Sequence, residues 1–156
     1  MIAIDIPGFR TLNLEHLVLD FNGTLAVDGR LLDGVESRLA ALANELDLHV
    51  VTGNTYGDAR DHLRNCPVEI ICLPATGQAL AKGDYVRRLG PDRVAAMGNG
   101  RNDALMLQQA ALGIIVLGTE GLATDALDIA DVVVRHAVDG LGLLLRPRRL
   151  IATLRS

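Results

Sequence analysis

Two short polar strings in the sequence each follow an apolar run and carry residue types suited to phosphoryl chemistry. Residues 20–25 (Asp-Phe-Asn-Gly-Thr-Leu) follow the apolar residues 17–19, and residues 98–103 (Gly-Asn-Gly-Arg-Asn-Asp) follow the apolar residues 94–97. Each string puts a carboxylate and small turn-forming residues where a buried strand should end. In an open parallel sheet those strand ends face the ligand crevice. Two carboxylates there predict a shared magnesium site for phosphoryl chemistry.

Asp20 is the candidate nucleophile for this chemistry. A carboxylate can attack phosphorus and form an aspartyl-phosphate, which divides one difficult displacement into two easier ones. Magnesium prefers oxygen ligands. The predicted ligands are the Asp20 carboxylate, the backbone carbonyl of Asn22, the Asn99 amide oxygen and the Asp103 carboxylate.

Four further positions can hold phosphoryl oxygens. Thr52 and Gly53 end the predicted strand 48–52, where a hydroxyl and a free backbone N–H can bind an oxyanion. Lys82 is the only lysine of the chain, and Asn102 stands where the predicted helix 101–110 begins, at the positive end of its dipole. Each position alone has an ordinary structural explanation. Their placement at the same end of successive elements favours a common site.

The elements that must position these residues follow from the hydrophobic periodicity. Apolar runs alternate with segments of helical spacing, and turn residues separate them. This alternation predicts an α/β fold with a doubly wound, mostly parallel sheet in a single domain, 1–156. The predicted strands are 17–21, 48–52, 68–73, 93–97, 113–117 and 131–134, and the predicted helices are 33–46, 55–65, 76–89, 101–110, 120–127 and 136–145.

Two extensions stand outside this alternation. Within residues 1–16, the segments 2–6 and 11–16 alternate polar and apolar residues around Pro7-Gly8, so they form either a β-hairpin or an added edge strand. Asp28-Gly29 is a hairpin-turn signal, which predicts that residues 24–32 form a small β-flap over the strand end.

The composition excludes several function classes. A net charge of −4 with 3% aromatic residues argues against a nucleic-acid-binding protein. No apolar run reaches the roughly 18 residues of a membrane span, and the first residues lack the basic region of a secretion signal. We therefore expect a cytoplasmic protein without a membrane partner. Cys66 and Cys72 form no CxxC pair and are expected to be core thiols.

The pattern resembles the haloacid dehalogenase (HAD) superfamily of phosphohydrolases, and within it the soluble proteins related to the phosphorylation domain of P-type ATPases. Residues 20–25 match the first motif, Thr52 the second, Lys82 the third and residues 98–103 the fourth, within about 15–135 of the chain. The resemblance implies a three-layer Rossmann-like fold. It also implies that Asp20 is phosphorylated, that Thr52 and Lys82 hold the phosphoryl group, and that Asp103 anchors Mg²⁺.

Two positions depart from the superfamily's pattern. Many of its phosphatases carry a second aspartate two residues after the nucleophile, which protonates the leaving group and then activates water. Here that catalytic position is Asn22, whose amide cannot act as an acid or base. Asn99 replaces the first aspartate of the fourth motif and is a neutral oxygen ligand. We expect weaker magnesium binding and slow turnover, because acid–base help is typically worth about 10²–10⁴ in rate.

The spacing of the motifs leaves no room for the cap domain that selects substrates in many members of the superfamily. Similar capless members often form oligomers or act on bulky substrates, so we expect a homo-oligomer and a phosphorylated substrate that is either a small molecule or a macromolecule. The N-terminal segment is the candidate subunit contact. Two alternatives to a phosphatase remain: a regulatory module that binds phosphate or metal, and a receiver-like phosphoacceptor with little or no turnover.

Overall fold

The computed structural model describes residues 1–53 and 58–156; for residue 58 it describes the backbone only. The strands are β1 (Ile2–Ile6), β2 (Arg10–Leu14), β3 (His16–Leu19), β4 (Ala26–Val27), β5 (Arg30–Leu31), β6 (Asp47–Thr52), β7 (Glu69–Cys72), β8 (Val94–Gly98), β9 (Leu112–Val116) and β10 (Val132–Val134). The helices are α1 (Val35–Leu42), α2 (Asp58–His62), α3 (Gln78–Leu89), α4 (Ala104–Gln109), α5 (Thr124–Leu127), α6 (Ala137–Leu145) and α7 (Pro147–Leu154).

Six of the strands form one parallel sheet in the order β10-β9-β8-β3-β6-β7. They coincide with the six predicted strands to within about two residues at each end, so the prediction of a doubly wound α/β fold is confirmed. β3 is central: its last residue, Leu19, pairs with Val50 of β6 on one side and with Met97 of β8 on the other. The first polar string therefore begins between the ends of two neighbouring strands.

Successive residues of the central strand enter opposite cores, because side chains alternate across a sheet. Leu17 and Leu19 belong to the larger core, beneath α1 and α6, whereas Val18 belongs to the core beneath α3 and α4. Both faces of the sheet are thus covered, which is the usual condition of a parallel sheet and accounts for its unbroken apolar strands.

The N-terminal segment forms a β-hairpin and not an added edge strand. β1 and β2 pair antiparallel as a separate two-stranded sheet, with Ile4 opposite Leu12. One face of the hairpin buries Ile4, Ile6 and Leu12 in the larger core, and the hairpin contacts α7. Its alternating sequence is explained by this one buried face.

The predicted flap is also present. β4 and β5 pair antiparallel around Asp28 and Gly29, whose φ angles of 50° and 72° suit a tight two-residue hairpin turn. The described residues between β3 and β6 contain only this flap and α1, and no inserted domain.

Three details of the sequence prediction differ from the structure. The helix predicted over 120–127 begins only at Thr124, because Gly118 and Gly121 adopt left-handed turns before it. Residues 147–154, for which no element was predicted, form α7. Cys72 is exposed and Cys66 is half-buried, so the expectation of two core thiols is wrong; Cys72 ends the edge strand β7.

The start of the helix predicted over 55–65 lies outside the described residues, which include its later part as α2. Among the helices described for residues 1–53 and 58–156, none is long and apolar enough to span a membrane.

Candidate active site

Asp20 follows the central strand directly and is 7% exposed. Its backbone N–H donates to the carbonyl of Met97 at 2.9 Å, which continues the pairing with β8 one residue beyond β3. The hydroxyl of Thr24 donates to Asp20 Oδ2 at 3.2 Å, and Thr24 is itself fully buried. The turn after β3 thus holds one carboxylate at the carboxyl end of the sheet.

Lys82 brings its ammonium group to this carboxylate from α3. The side chain is fully buried, and Nζ donates to Asp20 Oδ1 at 2.5 Å and to Asp103 Oδ1 at 2.6 Å. A buried ammonium is costly unless it is paired and hydrogen-bonded. The two carboxylates provide that pairing, so Lys82 connects the first polar string to the second.

Asp103 is held by the backbone of its own string. Its Oδ2 accepts hydrogen bonds from the backbone N–H of Asn99 at 3.0 Å and of Gly100 at 2.9 Å. A Cβ on Gly98 would lie 2.5 Å from this same oxygen, so only glycine leaves room for the carboxylate. The side chain is fully buried and its orientation is set by these contacts.

The charges of this cluster are not balanced. The pKa of Asp20 is raised from 3.8 to about 6: burial is the largest cause and the Asp103 carboxylate the second, and both outweigh the lowering by Lys82 and by the Thr24 hydrogen bond. Burial alone would lower the pKa of Lys82, but the carboxylates of Asp20 and Asp103 raise it above the usual value. The ammonium therefore stays charged at neutral pH between two carboxylates, which leaves one net negative charge in a buried site.

Asn99 lies beside the carboxylates and connects several loops. Its Oδ1 accepts a hydrogen bond from Thr24 at 3.3 Å, and its Nδ2 donates to the carbonyl of Gly121 at 3.1 Å. Asn22 is exposed and forms an isolated bridge with Ala26 at the base of the flap. The two asparagines that replace aspartates of the superfamily pattern thus belong to loops at the same end of the sheet.

The donor set fits a hard divalent cation. The candidate ligands are the oxygens of Asp20 and Asp103, the amide oxygen of Asn99 and the backbone carbonyl of Asn22, and magnesium accepts such ligands while keeping several waters. A cation would also balance the negative charge that raises the pKa of Asp20. Within the described residues, no three side chains of His, Cys, Asp or Glu form a metal cluster, so amide, carbonyl and water oxygens would have to complete the set.

The other predicted phosphate-binding residues lie at the ends of the two strands that flank β3: Thr52 and Gly53 at the end of β6, and Asn102 after β8. Thr52 is buried at the end of β6, where its carbonyl accepts the N–H of Leu73 at 2.8 Å. Gly53 follows it, and Asn102 is half-buried in the short 3-10 turn Arg101–Asp103 after β8. Asn54, which completes this strand-end sequence, lies outside the described residues.

Gln78 joins this group, and sequence reasoning missed it. Asn102 Nδ2 donates to Gln78 Oε1 at 3.1 Å, and the same side-chain amide lies against Gly53, where a Cβ would collide with it. Gln78 stands four residues before Lys82 on α3, so the two side chains share one face of the helix. This spacing of four residues from Lys82 is the sequence feature from which Gln78 could have been predicted as a site residue.

No protein-family model matches the chain. The uncharacterized protein MJ0073 of Methanocaldococcus jannaschii is 46% identical over 64 residues, which are 41% of this chain and 69% of that protein. The phospholipid-transporting ATPase tat-1 of Caenorhabditis elegans is 34% identical over 84 residues, which are 53% of this chain but only 7% of the ATPase.

Solved structures show the same fold over most of the chain. A 3-deoxy-D-manno-octulosonate 8-phosphate phosphatase from Moraxella catarrhalis, crystallised with magnesium, phosphate and KDO, has a TM-score of 0.69 and 18% identity, covering 92% of this chain and 94% of that chain. A zinc-transporting PIB-type ATPase in its E2.Pi state has a TM-score of 0.58 and 23% identity, covering 78% of this chain and 20% of that chain. At these identities the likeness establishes a common fold.

Proposed function

Because the chain belongs to the haloacid dehalogenase superfamily by its fold and motifs, in one family with MJ0073, we propose that it is a magnesium-dependent phosphatase. Asp20 is the proposed nucleophile, and the reaction passes through an aspartyl-phosphate. The observation that carries this proposal is the contact of the Lys82 ammonium with both Asp20 and Asp103, at 2.5 and 2.6 Å, at the carboxyl end of the central strands.

In the proposed reaction a carboxylate oxygen of Asp20 forms a bond to phosphorus while the bond between phosphorus and the leaving oxygen breaks. The leaving oxygen then takes a proton from bulk water. In the second step water attacks phosphorus and gives a proton to bulk water, the bond between phosphorus and the Asp20 oxygen breaks, and the Asp20 carboxylate and inorganic phosphate are released. Magnesium, when bound, neutralises charge on the phosphoryl oxygens.

The chain's own residues have distinct parts in this scheme. Lys82 keeps a positive charge beside the reacting oxygens, because its two carboxylate partners raise its pKa. Thr52, Gly53 and Asn102 are the proposed phosphate-binding residues. Asp103 and Asn99, with Asp20 and the Asn22 carbonyl, are the proposed metal ligands. The Asn22 side chain supplies no proton, so turnover on poor leaving groups is expected to be slow.

The substrate is a phosphate monoester or an acyl phosphate. The octulosonate phosphatase among the similar structures acts on a phosphorylated small molecule, which supports the same class here. Since the flap is the only element between β3 and β6 besides α1, no inserted domain there restricts the substrate to a small molecule, so a macromolecular substrate is also included in the proposal. A cytoplasmic location and a homo-oligomer remain predictions, and light scattering of the purified protein would measure the oligomeric state.

Asp20→Asn is the direct test. With magnesium and a generic aryl phosphate, wild-type protein should release phosphate and the variant should not. Equal rates would reject Asp20 as the nucleophile. The assay should be paired with circular dichroism, because a loss of activity counts only if the variant is folded.

A phosphoacceptor with little turnover is the second candidate, and the amide at position 22 favours it. Such a protein would take a phosphoryl group from a small acyl phosphate and retain it on Asp20. Intact-mass measurement after incubation with acetyl phosphate would distinguish the two functions. A persistent gain of one phosphoryl group without phosphate release would favour the phosphoacceptor.

A further inference from the structure

Glu120 places a carboxylate beside the first polar string, although it is almost one hundred residues away in sequence. It lies in the loop between β9 and α5 and is exposed. A Cβ built on Gly23 would lie 2.7 Å from Glu120 Oε2 and 2.9 Å from Asn99 Oδ1. The oxygens of Glu120 and Asn99 therefore border the same small space, next to the backbone of Asn22.

The position of Glu120 is set by the second polar string. The carbonyl of Gly121 accepts a hydrogen bond from Asn99 Nδ2 at 3.1 Å, and the N–H of Ala123 donates to the Asn99 carbonyl at 2.9 Å. Gly118 and Gly121 have φ angles of 56° and 77°, which turn the chain sharply around Glu120. The loop is thus bound to Asn99 through the two residues Gly121 and Ala123, which follow Glu120, and it carries the carboxylate to Gly23.

The Glu120 side chain has no charge partner. Among the residues that the structure describes, it forms no ion pair and accepts no hydrogen bond. An exposed carboxylate is well solvated and does not need a partner for stability. Its location beside the Asn99 amide and the backbone of Gly23 nevertheless adds negative potential at this end of the sheet, where the Asp20 and Asp103 carboxylates already outweigh the single positive charge of Lys82.

The candidate metal site without Glu120 carries one negative charge fewer than is needed to balance a divalent cation, and the Glu120 carboxylate can supply that charge. Asp20 and Asp103 carry two negative charges, of which Lys82 cancels one. A divalent cation carries two positive charges, and Asn99 contributes none. With Glu120, the net negative charge equals that of the cation.

We propose that Glu120 is the third carboxylate of the divalent-cation site and acts on the ion through bound water. A water-mediated role is required because no three acidic or His/Cys side chains of the described residues converge closely enough to ligate one ion. Magnesium usually keeps several waters, and groups that bind those waters tune its affinity. This inference rests on the proposed function, and Glu120 is a positioning residue for the cation.

The test measures cation binding directly and does not depend on catalysis. Mn²⁺ binding is followed by electron paramagnetic resonance of the free ion, and Mg²⁺ affinity is obtained by competition. Glu120→Gln should weaken binding about tenfold, the lower end of the range for groups that contact a metal through its ligands. Asp92→Asn is the matched control, because Asp92 is also exposed and lies in the short turn before β8, at the opposite end of the sheet.

A third variant separates the two proposals. Asp103→Asn removes a proposed direct ligand and should abolish binding. If it does so while Glu120→Gln binds as tightly as Asp92→Asn, the role of Glu120 is overturned and the metal site stands. If the wild-type protein binds neither Mn²⁺ nor Mg²⁺, the metal site and the role of Glu120 are both overturned.

Discussion

Lys82 Nζ lies 2.6 Å from Asp103 Oδ1, and both side chains are fully buried. The two residues come from different elements, α3 and the turn after β8, and neither has contact with bulk water. The same ammonium also bonds Asp20. Removing either partner of such a buried pair typically costs about 3–5 kcal/mol, because a charge is left uncompensated. Several consequences of this arrangement can be measured.

Lys82 should resist acylation in the folded protein. It is the chain's only lysine, it is fully buried, and its two carboxylates raise its pKa and keep it protonated and unreactive. An amine-reactive ester should therefore modify only the α-amino group of Met1, which is exposed. In denaturant, a second modification should appear. Intact-mass measurement checks this result, and rapid double labelling under native conditions would contradict the buried position.

Asp20→Asn should stabilise the metal-free protein at neutral pH. The pKa of Asp20 is about 6 in the folded chain and 3.8 as a free side chain, so between these values the folded state holds a proton that the unfolded state has lost. Stability then falls as pH rises from about 4 to about 6, by an amount of order 3 kcal/mol. Asp20→Asn has no ionisable carboxyl group at this position, so its stability should not fall over this pH range.

Melting temperatures in EDTA measure this effect. The variant should melt above wild type at pH 7.5, and the difference should shrink as pH falls toward 4.5, where the wild-type carboxyl is protonated. A difference that is constant over this pH range would show that Asp20 is not the group responsible.

Asn22→Asp should accelerate hydrolysis of poor leaving groups. The substitution introduces a carboxyl group that can protonate the leaving oxygen and then activate water, and such help is typically worth about 10²–10⁴ in rate. The gain should be large for an alkyl phosphate and small for an aryl phosphate, whose leaving group needs no proton. Asn22→Ser is the control. If Asn22→Asp leaves both rates unchanged, another group already supplies the proton.

Gly53→Ala should weaken phosphate binding and lower stability by less than the roughly 1–3 kcal/mol that overpacking of a core costs, because the new methyl group would displace only the end of the flexible, half-buried Gln78 side chain. The double variant Gly53→Ala/Gln78→Ala should recover most of the lost stability, because it removes the group that collides. Thermal unfolding and inhibition by inorganic phosphate measure the two effects. If the double variant is no better than Gly53→Ala alone, the contact with Gln78 is not the cause.

The order and type of the main elements followed from local patterns. The six sheet strands could be predicted because a parallel strand buried on both faces appears as a short apolar run. The start of α5 could not be predicted, since it depends on how the loop around Gly121 binds Asn99. The exposure of Cys72 depends on strand order, which places β7 at an edge.

The candidate site likewise contains residues that the sequence predicted and residues that only the structure revealed. The sequence alone predicted Asp20, Thr52 and Asp103, because each is a polar residue at or near the end of a predicted strand, and Lys82, because it is the only lysine of the chain. Glu120 carried no such signal, since a glutamate in a loop is an ordinary surface residue, and Gln78 was missed although it stands four residues before Lys82. Their proposed roles depend on contacts that only the folded chain shows: Gln78 with Asn102, and Glu120 with the backbone of Gly23.

The sequence by itself thus determined the class of fold and which residues can do chemistry, since periodicity and residue type are local properties. Only the tertiary structure decided that one ammonium contacts two carboxylates and that the β9–α5 loop carries Glu120 to Gly23. These contacts join elements far apart in the chain. At Lys82, Asp20 and Asp103 the packing also buries the side chains and so excludes the water that would otherwise screen their charges.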